Sequence, residues 1–257
     1  MVMNNGAESE KIGVVFFHKN IEKIYDKKWI EKSVNSVLDQ TLQNFVIFEV
    51  NYGGEDNSIV QKFNPKQELN FFSRDFPNHG EALNFILDEA FGAGCKKVFL
   101  TNMDDYYDQR RFEIQNKFLD DGCAVVSSEF CYIQNIQGVD QVVHQVGVKK
   151  HGPDLLGLLE KGLNPIAHPC VAMSASFWQH HRYVPAEIPK EDMNLWIRGL
   201  KSGFKFWICD EILLFYRLHE HQVTGNNIQS QKVVTQNPAK SQNNRSRSSG
   251  FVNPTLL

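Results

Sequence analysis

The feature that most constrains this chain is a rhythm in its first half, where short apolar runs ending in polar clusters alternate with stretches of helical period. The run IGVVFF, from Ile12 to Phe17, breaks at His18-Lys19-Asn20 and reads as a buried strand ending in a polar loop. Ile30, Val34, Val37 and Leu38 then fall at the spacing of one helix face. A second strand, FVIFEV from Phe45 to Val50, stops at Asn51-Tyr52-Gly53-Gly54, where glycine permits a tight turn. Asp56 is placed to cap the short helix that follows. A third strand around Leu69 to Phe72 leads through Pro77-Asn78-His79-Gly80 into a helix carrying Leu83, Ile86, Leu87 and Ala90. A fourth, KVFLT from Lys97 to Thr101, ends at Asn102-Met103-Asp104-Asp105; a helix from Arg111 to Leu119 and a strand from Ala124 to Ser127 continue the alternation. Repetition of this kind predicts an α/β fold with a mostly parallel sheet flanked by helices.

Beyond Phe130 the rhythm changes. A β-rich stretch from Val139 to Val148 and a helix near Leu155 to Glu160 precede a helix expected from Pro189 to Ser202. Proline stands in its first turn, and Met193, Trp196, Ile197 and Leu200 line one face. Strands from Lys205 to Ile208 and Ile212 to Leu218 follow, ending in His219-Glu220-His221. From Asn226 to Leu257 the composition is dominated by Asn, Gln, Ser, Lys and Arg, which offers too little apolar surface to offset ordering entropy. The expectation is a flexible tail at 226–257. Its Lys232, Lys240, Arg245 and Arg247 could meet an anionic surface, but four spread charges make a weak patch.

Composition excludes several partners. A formal charge of −3 in 257 residues gives no basic field for nucleic acid. The five cysteines are odd in number and lack the paired spacing of a zinc or redox centre, so they read as reduced core thiols. No apolar run approaches the length of a membrane span, and Met1 to Lys11 has no signal-like apolar stretch. The expected location is cytoplasmic, with peripheral membrane contact left open and no expectation for the oligomeric state.

In open parallel sheets ligands bind beyond the carboxyl ends of the strands, and three polar clusters stand there: His18-Lys19-Asn20, Asn51 to Asp56, and Asn102 to Asp105. Carboxylates at a strand end can hold a hard cation that neutralises phosphates, which makes Asp104 and Asp105 candidates. The same aspartates would also serve as a turn cap. Arg74, after the third strand, suits phosphate charge or a base, or a solvated surface position.

Taken together, the clusters resemble a family 2 glycosyltransferase, inverting and of GT-A fold. SVNSVLDQTLQNFVIFEVNYGGEDNS resembles that family's helix, Q-T turn, strand and D-D-G-S-x-D-x-S loop; HGEALN resembles its A-x-N helix start, and FLTNMDD its strand ending in D-x-D-D. NPIAHPCVAMSASFW, EDMNLWIRGLKSGFKFW and LFYRLHEHQVT resemble the segment before the acidic motif, the E-D-x-x-L-W-x-R helix and the closing Y-R-x-H element. These matches run in the family's order from about Ile12 to Thr224.

The resemblance implies one domain over 1–225, with a nucleotide-sugar half at 12–128, an acceptor half at 129–225 containing β-structure, and the tail beyond. It implies transfer of a sugar from a nucleotide-sugar, expected to be a UDP-sugar, to a glycan, lipid-linked or protein acceptor. The cofactor it implies is a divalent cation, Mn2+ or Mg2+. By carry-over His18, Asn20, Tyr52, Arg74, Asn102, Met103 and Asp104 contact the donor, Asp104 and His219 the metal, and Asp192 with Glu191 the reaction, Asp192 as general base. Asn51-Tyr52 departs from the paired aspartates that contact uracil, and Asn102 from the first aspartate of D-x-D. The segment from Asp140 to Leu163 is the candidate for acceptor recognition and a lid. Two other readings stay open: a nucleotidyltransferase, which would not need the ED helix or YRLH end, and a catalytically inactive nucleotide-sugar or glycan-binding module.

Overall fold

The computed structural model describes residues 10–146 and 153–220. The expected tail at 226–257 lies outside the described residues, as does 147–152 of the candidate lid. The first half runs β1 (Ile12–His18), α1 (Lys27–Leu38), β2 (Phe45–Asn51), α2 (Ile59–Phe63), β3 (Leu69–Ser73), α3 (His79–Gly92), β4 (Lys97–Thr101), a short β5 (Tyr106–Tyr107) and α4 (Arg111–Asp120). The second half runs β6 (Val125–Ile136), β7 (Val139–Val146), α5 (Pro153–Glu160), β8 (Ala172–Ser174), α6 (Ala175–His180), α7 (Glu191–Lys201) and β9 (Phe206–Arg217).

These strands form one sheet in the order β3-β2-β1-β4-β8-β6-β9-β5, with β7 paired to β6. β3, β2, β1 and β4 are all parallel. β8 is antiparallel to both of its neighbours, β4 and β6, while β9 returns parallel to β6. The period of two along β1 places the core on both faces. Val14 and Phe16 join Ile30, Val34 and Val37 of α1 and Phe112 of α4, whereas Val15 joins Leu83, Ile86 and Leu87 of α3. All of these are buried, and each contributes about 1.5–3 kcal/mol by leaving water.

Four local expectations are corrected. The strand expected to stop at Ser127 runs on to Ile136, because β7 folds back on it as a hairpin. The two expected strands at 205–208 and 212–218 are one, β9: Ser128 faces Cys209 and Glu129 faces Ile212, so Asp210 and Glu211 are accommodated as a bulge. α2 is capped by Ser58, whose hydroxyl accepts the Gln61 N–H at 3.0 Å, and not by Asp56. α7 begins at Glu191, since the Lys190 N–H turns back to the Glu187 carbonyl and leaves Pro189 outside the helix.

Candidate functional site

The ends of β1 and β2 are shaped by buried polar side chains. His18 is 3% exposed, and its Nε2 lies 2.9 Å from Glu49 Oε1. Glu49 also accepts the Ser58 hydroxyl and the Ile59 N–H, each at 2.6 Å, tying β2 to the start of α2. His18, expected to touch a nucleoside, is thus buried with one ring nitrogen on Glu49, while its Nδ1 is buried without a partner. Asn51 is occupied as well: Oδ1 accepts the Gly53 N–H at 3.1 Å, and Nδ2 donates to Glu55 O at 3.1 Å and Asn57 Oδ1 at 2.8 Å. Where paired aspartates would offer charge, Asn51 instead holds its own loop. A Cβ on Gly53 would fall 2.6 Å from Asn20 Oδ1, so a side chain there would have to displace the Asn20 amide; Asn20 itself takes a left-handed backbone with φ 48°. The Asn20 Oδ1 is buried without a partner. Tyr52 is half-buried under Lys19, whose Nζ stands 5.9 Å from the ring centroid; burial pushes the phenol pKa up. Arg74 is exposed, with its guanidinium over the rings of Phe76 and Phe85.

At the end of β4 the expected metal pair meets. His219 Nε2 is 3.0 Å from Asp104 Oδ2, and the His219 ring packs against Tyr25 and Trp29. Asn102 is held through its backbone, its N–H donating to the Tyr107 hydroxyl at 2.7 Å and its carbonyl accepting from Ser33. Met103, expected to contact the donor, is 2% exposed and belongs to the core. Asp105 is buried and accepts the Arg217 N–H at 2.8 Å; burial first, and then the charge of Asp104, push its carboxyl well above the usual range. Among the described residues no group of three or more His, Cys, Asp or Glu is arranged around a metal position. Asp104 and His219 supply one carboxylate oxygen and one imidazole nitrogen, a donor pair that suits a divalent cation only if other ligands complete it.

The sequence reading missed what braces this loop. Arg217 donates from Nε to the Asp104 carbonyl at 2.9 Å and pairs through both terminal nitrogens with Asp140 of β7, Nη2 to Oδ2 at 2.9 Å. Lys32 Nζ reaches the same Asp140 oxygen at 2.9 Å, and the Arg217 guanidinium lies over Trp29. The Arg217 hydrogen bonds hold the Asp140 carboxyl far below its usual range, against the opposing effect of burial. The start of the candidate lid is thus fastened to the Asp104 loop.

The second acidic cluster stands at the start of α7. Asp192 is half-buried; Oδ1 accepts the Met193 N–H at 2.6 Å and Oδ2 accepts the Asn164 amide at 3.0 Å. Burial raises its carboxyl pKa, opposed by His168 and those hydrogen bonds and reinforced by the charge of Glu191. Glu191 is buried with its Oε1 2.6 Å from His79 Nε2, at the first residue of α3. Burial pushes the Glu191 carboxyl up, but the His79 hydrogen bond and charge together with the helix-start N–H outweigh it, and the net direction is down. His168 donates to or accepts from the Tyr183 hydroxyl at 2.8 Å, and burial lowers its pKa. His79, read from sequence as a helix-start residue, and His168 both belong to this cluster.

No family model matches the chain. It is 20% identical over 214 residues to an uncharacterized glycosyltransferase of Methanocaldococcus jannaschii, covering 81% of this chain and 72% of that one. It is 25% identical over 189 residues to an uncharacterized glycosyltransferase of Rickettsia bellii, covering 70% of this chain but only 26% of that one. Among solved structures it resembles S. aureus TarS 1–349 in complex with UDP, at a TM-score of 0.58 and 16% identity over 80% of this chain and 60% of that chain. It also resembles a Pyrobaculum calidifontis mannosyltransferase in complex with GDP-Man and Mn2+, at 0.58 and 15% identity over 82% and 57%. The fold is that of GT-A-type glycosyltransferases. No helix among the described residues is long and apolar enough to cross a membrane.

Proposed function

We infer that the chain, a glycosyltransferase of GT-A-type fold, transfers a sugar with inversion from a nucleoside-diphosphate donor to an acceptor hydroxyl. The observation that carries this reading is the pair of carboxylates at the start of α7. Glu191 is buried and bound to His79, whereas Asp192 is partly open and burial pushes its carboxyl pKa up. In the reaction the acceptor oxygen bonds to the anomeric carbon and its proton passes to the Asp192 carboxylate. The bond from that carbon to the diphosphate oxygen breaks, and the nucleoside diphosphate departs. Donor contacts fall to Tyr52, Asn20, Asn102 and Arg74 in the half from 12 to 128, and the acceptor lies against 129–225. Asp104 and His219 are the residues that would hold a divalent cation, which would supply positive charge to the departing diphosphate. The TarS structure holds UDP and the mannosyltransferase GDP-Man with Mn2+, which supports this donor class.

Replacing the base by its amide keeps the shape and removes the proton acceptor. Asp192→Asn is expected to lower release of nucleoside diphosphate from UDP-glucose or GDP-mannose by roughly 100-fold or more while donor affinity survives. Glu191→Gln is expected to be milder. Near-normal turnover by Asp192→Asn would sink the assignment.

A further inference from the structure

His79 and Glu191 are 112 residues apart in the chain, yet each stands at the first residue of its helix and their side chains meet at 2.6 Å. The contact is built. α3 starts hard against the turn that leads into α7, where a Cβ on Gly80 would lie 3.5 Å from Ile188 Cδ1 and 3.6 Å from Pro185 Cα. The Asn84 amide, one turn further along α3, exchanges two hydrogen bonds with the Tyr183 backbone, at 2.9 and 3.1 Å. Tyr183 in turn holds His168. The two helix starts are therefore fixed relative to each other, and the imidazole is delivered to one of two adjacent carboxylates. Glu191 uses one oxygen on His79 while the other, Oε2, is buried without a partner. Asp192 uses its oxygens on the Asn164 amide and the Met193 N–H and stays partly open.

Two neighbouring carboxylates that were both free would each compete for a proton. We propose that His79 is a positioning residue of the transfer site, one that occupies Glu191 and balances its charge so that Asp192 alone is left to take the acceptor's proton. The proposal rests on Asp192 as base and assigns to His79 a part that the helix-start reading did not include. The charged and titratable groups facing the pair are His79 from α3, His168 from the turn at 168–170, Tyr183 from the segment before α7, and the two carboxylates themselves. Loss of the ring removes the partner that Glu191 Oε1 meets at 2.6 Å and leaves the negative charge of Glu191 unbalanced beside Asp192. Asp192 then keeps its proton to higher pH.

The test is carboxyl-carbon NMR of the Asp192 side chain through an acid titration, which needs no donor. In His79→Gln, which keeps a hydrogen-bonding amide but no charge, the Asp192 midpoint is expected to rise by about half a pH unit. In a Glu191→Gln background the same His79 substitution is expected to leave the midpoint where it was, because His79 acts only through Glu191. No rise in the first case, or an equal rise in both, overturns the role of His79. If His79→Gln does not fold, His79→Asn is titrated in its place, alone and in the Glu191→Gln background, with the same expected and overturning results for the Asp192 midpoint. Asp192→Asn is assayed beside these for release of nucleoside diphosphate. Turnover retained there overturns the proposal at its premise, whereas an unmoved Asp192 midpoint overturns it at His79.

Discussion

Asp140→Asn tests whether the β6–β7 hairpin is fastened to the Asp104 loop by charge. The Arg217 side chain is 1% exposed and that of Asp140 11%, so both ends of this pair are largely out of water. Breaking a buried ion pair by removing one partner typically destabilises by 3–5 kcal/mol, because the other charge is left uncompensated. Here Arg217 keeps the Asp104 carbonyl and the face of Trp29, and the asparagine oxygen can still accept one hydrogen bond. The loss should therefore fall at or just below the lower end of that range, about 2–3 kcal/mol at pH 7. Lys32 adds little, since its side chain is 44% exposed and such pairs contribute roughly 0–1 kcal/mol. The pH dependence has a definite sign. The Asp140 carboxyl is held below its unfolded value, so its contribution is complete above the unfolded pKa and is lost as pH falls through the lower, folded one. Urea unfolding of wild type and Asp140→Asn, from pH 7 down to pH 2, should show a gap that is constant near neutrality and closes below about pH 4. A gap under about 1 kcal/mol at pH 7, or one that persists undiminished in acid, would refute the charge argument.

Binding of a nucleoside diphosphate is expected to need a divalent cation, since Asp104 and His219 bring a carboxylate and an imidazole together at 3.0 Å; calorimetry with and without chelator checks this, and equal affinity in both would point to a metal-independent site. Asp104→Asn should weaken that binding at least tenfold in the presence of Mn2+ and leave the metal-free value unchanged. Wild-type turnover should rise with pH on an acid limb displaced above the ordinary Asp range, because Asp192 must be ionised and burial raises its pKa; a limb at or below that range would contradict the base assignment. Gly199→Ala places a Cβ 2.5 Å from Phe177 Cε2 and 2.9 Å from Phe206 Cζ, and even after the better helix propensity of alanine it should destabilise by roughly 1–3 kcal/mol in denaturant melts.

What could be read in advance follows from how far apart the interacting residues lie. The parallel sheet was legible because each strand declares itself within a few residues: IGVVFF, FVIFEV and KVFLT are buried runs whatever they pair with, and the stripe at Ile30, Val34 and Val37 faces a core whichever core it is. Boundaries that depend on a partner were not. Ser127 does not end its strand because β7 returns to pair with the extension, and no property of residues 124–127 announces that hairpin. The site divides in the same way. Asp104, Asp192 and His219 could be proposed because short motifs carry them, and the structure does bring Asp104 and His219 together. A motif places a residue at a strand end but does not say which way its side chain turns; His18 and Met103 follow the pattern and still point into the core, one toward Glu49 and the other among Phe99, Tyr107 and Phe112. Asp140 with Arg217 and His79 with Glu191 are pairs 77 and 112 residues apart; Arg217, His79 and Glu191 stand inside motifs and Asp140 does not, but no motif says which distant side chain its residue will meet. Such pairs have no local signature, because the energy of a buried charge is decided by the partner that tertiary folding delivers.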